Sequence, residues 1–359
     1  MEQGEITMKY IGRDHVRAAY SRSFTDRVPV YPITSLINAK VAGITIKEYL
    51  TDPKKFAKAV IVSYERFRGD VVTMMADLVM ETEACGSTIA MPEDDLAYVT
   101  KHILDSKKKL LKMKVPDPLK DVRLPYYIEG LSRARPHITD AAAGSVISGP
   151  WQIAVNLRGA EQIILDTFDD PEFVHDLMKF TTEFAQRFGM AISSEARVGL
   201  SYSEAACSLN LISPDIYRTF VLPYHQQLVN YFSEKKTGIT LHICGYIDPI
   251  MEDVVGTGIS ALSIDCHSSL RKLMKVSKRK LVIIGNVDIL LFKDGTKKQI
   301  EEATKWCIDT AAPYSAFVLS SACEIPPTAP LENIDYFIKF AHEYGRYERM
   351  VPGWIGYKM

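Results

Sequence analysis

The sequence predicts an α/β fold of the (β/α)8 TIM-barrel type, a single domain over 1–359 with an N-terminal helical extension over 1–27. Three observations point there. Eight short β-prone runs recur along the 359 residues. Longer stretches of helical periodicity lie between them. Polar and metal-ligating residues collect at the C-terminal ends of the runs, where barrels of this type place their sites. Strands that alternate with helices imply a parallel sheet. An open doubly wound sheet is the competing reading, and it is weakened by the absence of a G-x-G-x-x-G turn after the first run.

The runs fall at 28–34, 70–75, 143–149, 199–204, 238–244, 259–265, 281–287 and 316–322. Helical patterns occupy 45–67, 170–196, 213–235 and 296–311. Ser213-Pro214 and Asp170-Pro171 are start signals, a capping side chain followed by proline in the first turn. The lysine-rich stretches 105–123 and 271–280 read as solvated faces, the first a helix face leading into a loop.

Composition excludes several function classes. Formal net charge is −1 and charged residues are 24% of the chain. That balance gives no electrostatic case for nucleic acid or a membrane surface. No apolar run approaches the ~18 residues that span a bilayer. The polar N-terminus lacks the apolar core of a signal peptide, so a cytoplasmic location is expected. Six well-separated cysteines do not suggest a disulfide framework.

The strand ends carry the chemistry. The second run leads to Asp77, the third to Trp151, and the fourth ends near Tyr202 and Glu204. His242 and Cys244 end the fifth, two residues apart and therefore on one face of a strand. Asp265, Cys266 and His267 end the sixth, Asn286 lies in the seventh, and Cys323 follows the eighth. One imidazole and two thiols facing a common mouth suit a zinc ion with a fourth position open, the pattern of a catalytic site. Ordinary buried residues are the alternative. Cys85, Cys207 and Cys307 read as structural. Cys266 is expected to point into the layer between barrel and helices. His267 reads as a surface or capping histidine outside the motif.

With these residues in place, the sequence resembles a known family. "HICG" (242–245) with a cysteine about eighty residues on resembles the H-x-C…C zinc motif of corrinoid-dependent methyltransferases in the uroporphyrinogen decarboxylase superfamily. Five segments are similar to that superfamily in the right order: 148–159, 165–184, 211–229, 283–296 and 320–345. The resemblance implies zinc on His242, Cys244 and Cys323. It also implies a corrinoid (cobalamin) carried by a separate partner protein, since no D-x-H-x-x-G motif is present here. Two branches fit it. Removal of methyl from a methoxylated aromatic, as in an O-demethylase component, is the expectation. Methylation of a thiol of coenzyme M type is the alternative. Glu204 bears on the choice, because it stands where the thiol branch resembles D-P-x-A. It could serve as a fourth ligand or proton acceptor, or be paired with a nearby lysine or arginine. Tyr202, Trp151 and Met75 could line an aromatic pocket, and Asp265 and Asn286 could orient substrate or ligands.

Decarboxylation is argued against. The decarboxylases resemble one another in an arginine-bearing R-Q-A-G-R-Y motif, and the matching segment 29–43 has no arginine. Asp77 does align with their catalytic aspartate. A non-catalytic zinc-binding relative is the remaining alternative.

Overall fold

The structure is a computed structural model, described over residues 10–351. Its strands are β1 (Val30–Tyr31), β2 (Val71–Met74), β3 (Thr88–Ala90), β4 (Tyr98–Lys101), β5 (Ala142–Ser148), β6 (Gly199–Ser203), β7 (Ile239–Ile243), β8 (Ala261–Ile264), β9 (Val282–Val287) and β10 (Phe317–Ser321). Eight of them form one sheet in the order β1-β10-β9-β8-β7-β6-β5-β2. Every pairing within it is parallel. Each of these strands falls inside a run read from the sequence, apart from β5, which starts one residue before its run. The antiparallel hairpin β3–β4 was not anticipated, because its strands are short and largely solvated.

Asp70 closes the sheet into a barrel between β1 and β2. Its backbone N–H donates to Val30 O (2.8 Å), and its carboxylate accepts from Val30 N (2.8 Å). Arg27 grips the same carboxylate with two N–H groups (2.5 and 2.9 Å). A buried, bidentate arginine–carboxylate pair holds direction as well as charge. Thr73 Oγ1 adds a hydrogen bond to Tyr31 Oη across the same seam.

Outward-facing strand residues pack against the helices. Tyr202 is buried on the outer face of β6, where its hydroxyl donates to Ala185 O of the helix Pro171–Glu195 (2.9 Å). The barrel interior has a smaller core of its own: Tyr31, Ile33, Ala261, Val282, Ile284 and Val318, joined by Ala19. Ala19 belongs to α1 (Gly12–Tyr20), the helix of the N-terminal extension, which packs on β2, β5 and β10. Its first residue must be small, because a Cβ at Gly12 would lie 2.7 Å from Asp70 Oδ1.

Two expected helices are interrupted. The pattern at 45–67 divides at Asp52-Pro53, where Asp52 caps the helix Pro53–Phe67 through Lys54 N and Lys55 N (2.8 and 3.1 Å). The pattern at 213–235 passes through a π-helical turn, Tyr217–Val221, before the helix Leu222–Glu234. Pro223 has no N–H to donate and its ring crowds the preceding turn, which explains the break. In the stretch 105–123, Lys107–Lys112 forms a 3-10 helix instead of an α-helix. Among the described residues no helix is long and apolar enough to cross a membrane.

Candidate metal centre at the barrel mouth

Alternation along β7 turns His242 into the barrel, and the chain then bends so that Cys244 stays beside it. Gly245 makes the bend at φ +76°, the left-handed region that favours glycine. A Cβ there would also meet Ser208 Oγ at 2.4 Å. Cys323 arrives from the opposite side, two residues beyond β10. His242 Nε2 lies 2.9 Å from Cys244 Sγ, the two sulfurs are 3.2 Å apart, and Cys323 Sγ is 3.6 Å from Nε2. All three residues are partly buried.

Hydrogen bonding prepares these donors. His242 Nδ1 pairs with Ser263 Oγ (2.9 Å), which leaves Nε2 directed at the sulfurs. Ser263 sits in register with His242 on β8. Cys323 is held well below the ordinary thiol range by a hydrogen bond from Cys244 and by His242, against the opposing effect of burial. Cys244 is raised, because it hydrogen-bonds to Cys323 and is buried beside it. Burial works against protonation of His242, but the charge and hydrogen bond of Cys323 outweigh it and raise its pKa.

The donor set fits a tetrahedral metal ion closely. Zn–S of ~2.3 Å and Zn–N of ~2.0–2.1 Å at tetrahedral angles put donors ~3.6–3.8 Å apart. One edge already has that length, and the other two would open by less than an ångström.

The other residues singled out from the sequence have different surroundings. Glu204 is a correction: its carboxylate does not join the cluster. Oε1 accepts from Trp151 N (3.1 Å) and His225 Nε2 (3.0 Å). Oε2 accepts from Gln152 N (2.8 Å) and Cys207 Sγ (3.5 Å). Four donors fill its lone pairs. It therefore caps the helix Pro150–Arg158 and pairs with a histidine, not with a lysine or arginine. Tyr202 and Trp151 are corrections too. Both are fully buried away from the mouth, and Trp151 Nε1 donates to Ala206 O (3.1 Å). Met75 does line the cavity described below.

Asp77 is buried and ion-paired with Arg123 (2.7 Å), and Oδ1 accepts from Val79 N and Met80 N (3.0 and 2.8 Å). Asp265 accepts from His267 N (2.9 Å) and faces His267 Nδ1 (2.6 Å). Cys266 corrects an expectation, since it sits half-exposed on this rim loop with its Sγ 3.3 Å from Asp265 Oδ1. Asn286 fastens the same loop, donating from Nδ2 to Asp265 O (3.0 Å) and Ser268 O (3.2 Å).

Two participants escaped the sequence reading. Ser263 carried a usable signal, since it lies two residues before Asp265 on a strand. Glu324 follows Cys323 directly and accepts from Leu36 N (3.0 Å). Burial raises its carboxyl to about 7, although the hydrogen bonds from Leu36 and Ser35 oppose the rise.

A cavity of about 470 Å³ opens on the cluster. Met75, Leu78 and Glu324 surround its upper end, and it continues down the bore to Ile239, Ala142 and Tyr20 of α1. No lysine or arginine lines it among the described residues.

The molecule is therefore a (β/α)8 barrel whose mouth gathers one imidazole and two thiols able to hold a metal ion. The chain belongs to the uroporphyrinogen decarboxylase (URO-D) family, whose model matches residues 12–344. Its relatives include methyltransferases. A methylated-thiol–coenzyme M methyltransferase of Methanosarcina mazei is 24% identical over 295 residues, covering 81% of this chain and 77% of that protein. The methylcobamide:CoM methyltransferase MtaA of Methanosarcina barkeri is 26% identical over 358 residues, covering 95% and 99%. The solved structure of a methyltransferase from Methanosarcina mazei superposes with a TM-score of 0.84 at 24% identity, covering 94% of this chain and 99% of that one.

Proposed function

We propose that the protein is a zinc-dependent methyltransferase that moves a methyl group between the cobalt of a corrinoid on a partner protein and the sulfur of a small thiol. The convergence of His242 Nε2, Cys244 Sγ and Cys323 Sγ above a large cavity carries this reading. Relatives that act on methylcobamide and coenzyme M support it. Zinc held by these three side chains would bind the substrate heteroatom and favour its thiolate at neutral pH.

The chain's own residues do the rest by positioning. Ser263 fixes the imidazole of His242. Asn286 and Asp265 hold the rim loop beside it. The thiolate sulfur forms the new bond to carbon, and the electron pair of the cobalt–carbon bond stays on cobalt. Cobalt(III) thereby becomes cobalt(I). Decarboxylation of a porphyrinogen is not favoured, because among the described residues its many carboxylates would meet no lysine or arginine along the cavity. A second reading keeps the same site and takes methyl from a methoxylated aromatic onto cobalt(I). The apolar side chains of the cavity, Met75, Leu78 and Ile33 among them, favour it.

The test joins metal analysis to turnover. The purified protein should hold about one zinc per chain, and Cys323→Ala should lose it together with about a hundredfold or more of methyl transfer. Methylcobalamin with thiols and cobalt(I) corrinoid with methoxyaromatics, followed by cobalt absorbance, separate the two readings. Undiminished turnover by metal-free C323A would refute both.

A further inference from the structure

The interior of a (β/α)8 barrel is ordinarily filled by layers of branched side chains and forms a packed core. Here β5 to β8 line the bore with Gly144, Ser145, Gly199, Ser201, Thr240 and Ser263. These small side chains leave the cavity of about 470 Å³ that runs from the cluster to α1. That volume lies in the ~300–1,000 Å³ range of small-molecule pockets. The bore is also largely dry in character. Ser145 Oγ donates to Gly199 O (3.0 Å), Ser263 is engaged with His242, and Tyr20 Oη pairs with Thr240 Oγ1 (3.4 Å). Most of the remaining wall is apolar, with Tyr31, Val71, Val146, Ile284 and Val318, interrupted by the hydroxyls of Ser201, Ser203 and Ser260 and, at the upper end, by Glu324.

We infer that the bore beneath the three donors is the binding site for the body of the substrate, an alkyl or aryl group attached to the reacting heteroatom. With the body lying in the bore, the heteroatom sits at His242, Cys244 and Cys323 and its outer side faces the mouth. The mouth stays clear for the corrinoid partner. A short anionic thiol such as coenzyme M leaves the bore unfilled and places a sulfonate where no lysine or arginine waits among the described residues. The selected substrate is therefore longer and apolar. This assignment rests on the reading of the site as one that binds a heteroatom.

Calorimetric titration of the zinc-loaded protein with the straight-chain thiols from ethanethiol to hexanethiol tests it without any corrinoid. Affinity should rise up to about fourfold per methylene. Two variants fill the bore: Ser201→Phe, and Gly144→Leu, where an added Cβ meets nothing nearer than Gly199 O at 3.8 Å. In whichever variant folds and retains zinc, the ratio of hexyl to ethyl affinity should fall towards one. Equal affinity along the series in the unmodified protein, or tighter binding of 2-mercaptoethanesulfonate than of hexanethiol, would overturn the inference, as would an unchanged ratio in the filled variants. A thiol that binds with the expected length dependence but receives no methyl from methylcobalamin would count against the methyl-transfer reading alone.

Discussion

Cys323 is a partly buried acid and Glu81 a fully buried one, and their surroundings move them in opposite directions. Hydrogen bonding from Cys244 and the nearby imidazole lower Cys323 despite burial. Glu81 is fully buried, and burial raises it to about 7 although Ser148 N (2.7 Å) donates to it. A raised carboxyl binds its proton more tightly in the folded than in the unfolded chain. Its contribution to stability is therefore complete below the unfolded value near 4.5 and is lost as pH rises through about 7. Glu81→Gln cannot titrate. The stability of the unmodified protein relative to E81Q should fall by roughly 2–3 kcal/mol from pH 4.5 to pH 8. Urea unfolding of both proteins at several pH values measures this, and parallel profiles would contradict it. The raised carboxyl was not visible in the sequence, because Glu81 there is one acid in an acidic turn and only the folded chain buries it.

At the scale of elements, Glu204 shows how a strand end is spent. It stands at the C-terminal edge of β6, where a barrel displays functional groups, yet it is turned outward to the first turn of the helix Pro150–Arg158. Glu204→Gln would set an amide N–H₂ against two of its present donors. The expected cost is about 2–4 kcal/mol, with zinc content unchanged. Thermal unfolding and metal analysis of one preparation distinguish the roles, and loss of zinc would restore Glu204 as a ligand. Element positions were legible where the pattern was long or apolar. All eight barrel strands fell where period and β-branched content placed them. The hairpin β3–β4 was not, because three or four solvated residues carry no alternation to read. The splitting at Pro223 was legible in principle, since proline has a fixed backbone requirement.

Over the whole molecule, closure of the barrel is concentrated at Asp70. β1 and β2 stand at the two ends of the sheet, and this carboxylate ties Val30 N and Arg27 across the gap. Asp70→Asn leaves a mostly buried guanidinium without its countercharge. We expect a loss of about 3–5 kcal/mol, read as a lower urea midpoint. A midpoint within error of the unmodified protein would place closure elsewhere. The same scale separates what sequence and fold each contribute. Sequence alone pointed to the barrel and its strands, because period two is a local property of the chain, and it singled out His242, Cys244 and Cys323 through strand-end placement together with a resemblance to a known family. The tertiary structure decided that Cys323, 79 residues from Cys244, comes within 3.2 Å of it. It also decided that Glu204, Tyr202 and Trp151 face away, and that small residues from four strands open a bore. Which way a strand-end side chain turns depends on the donors that neighbouring loops present, and a cavity is the space that many distant side chains fail to fill. Neither property belongs to any single stretch of sequence.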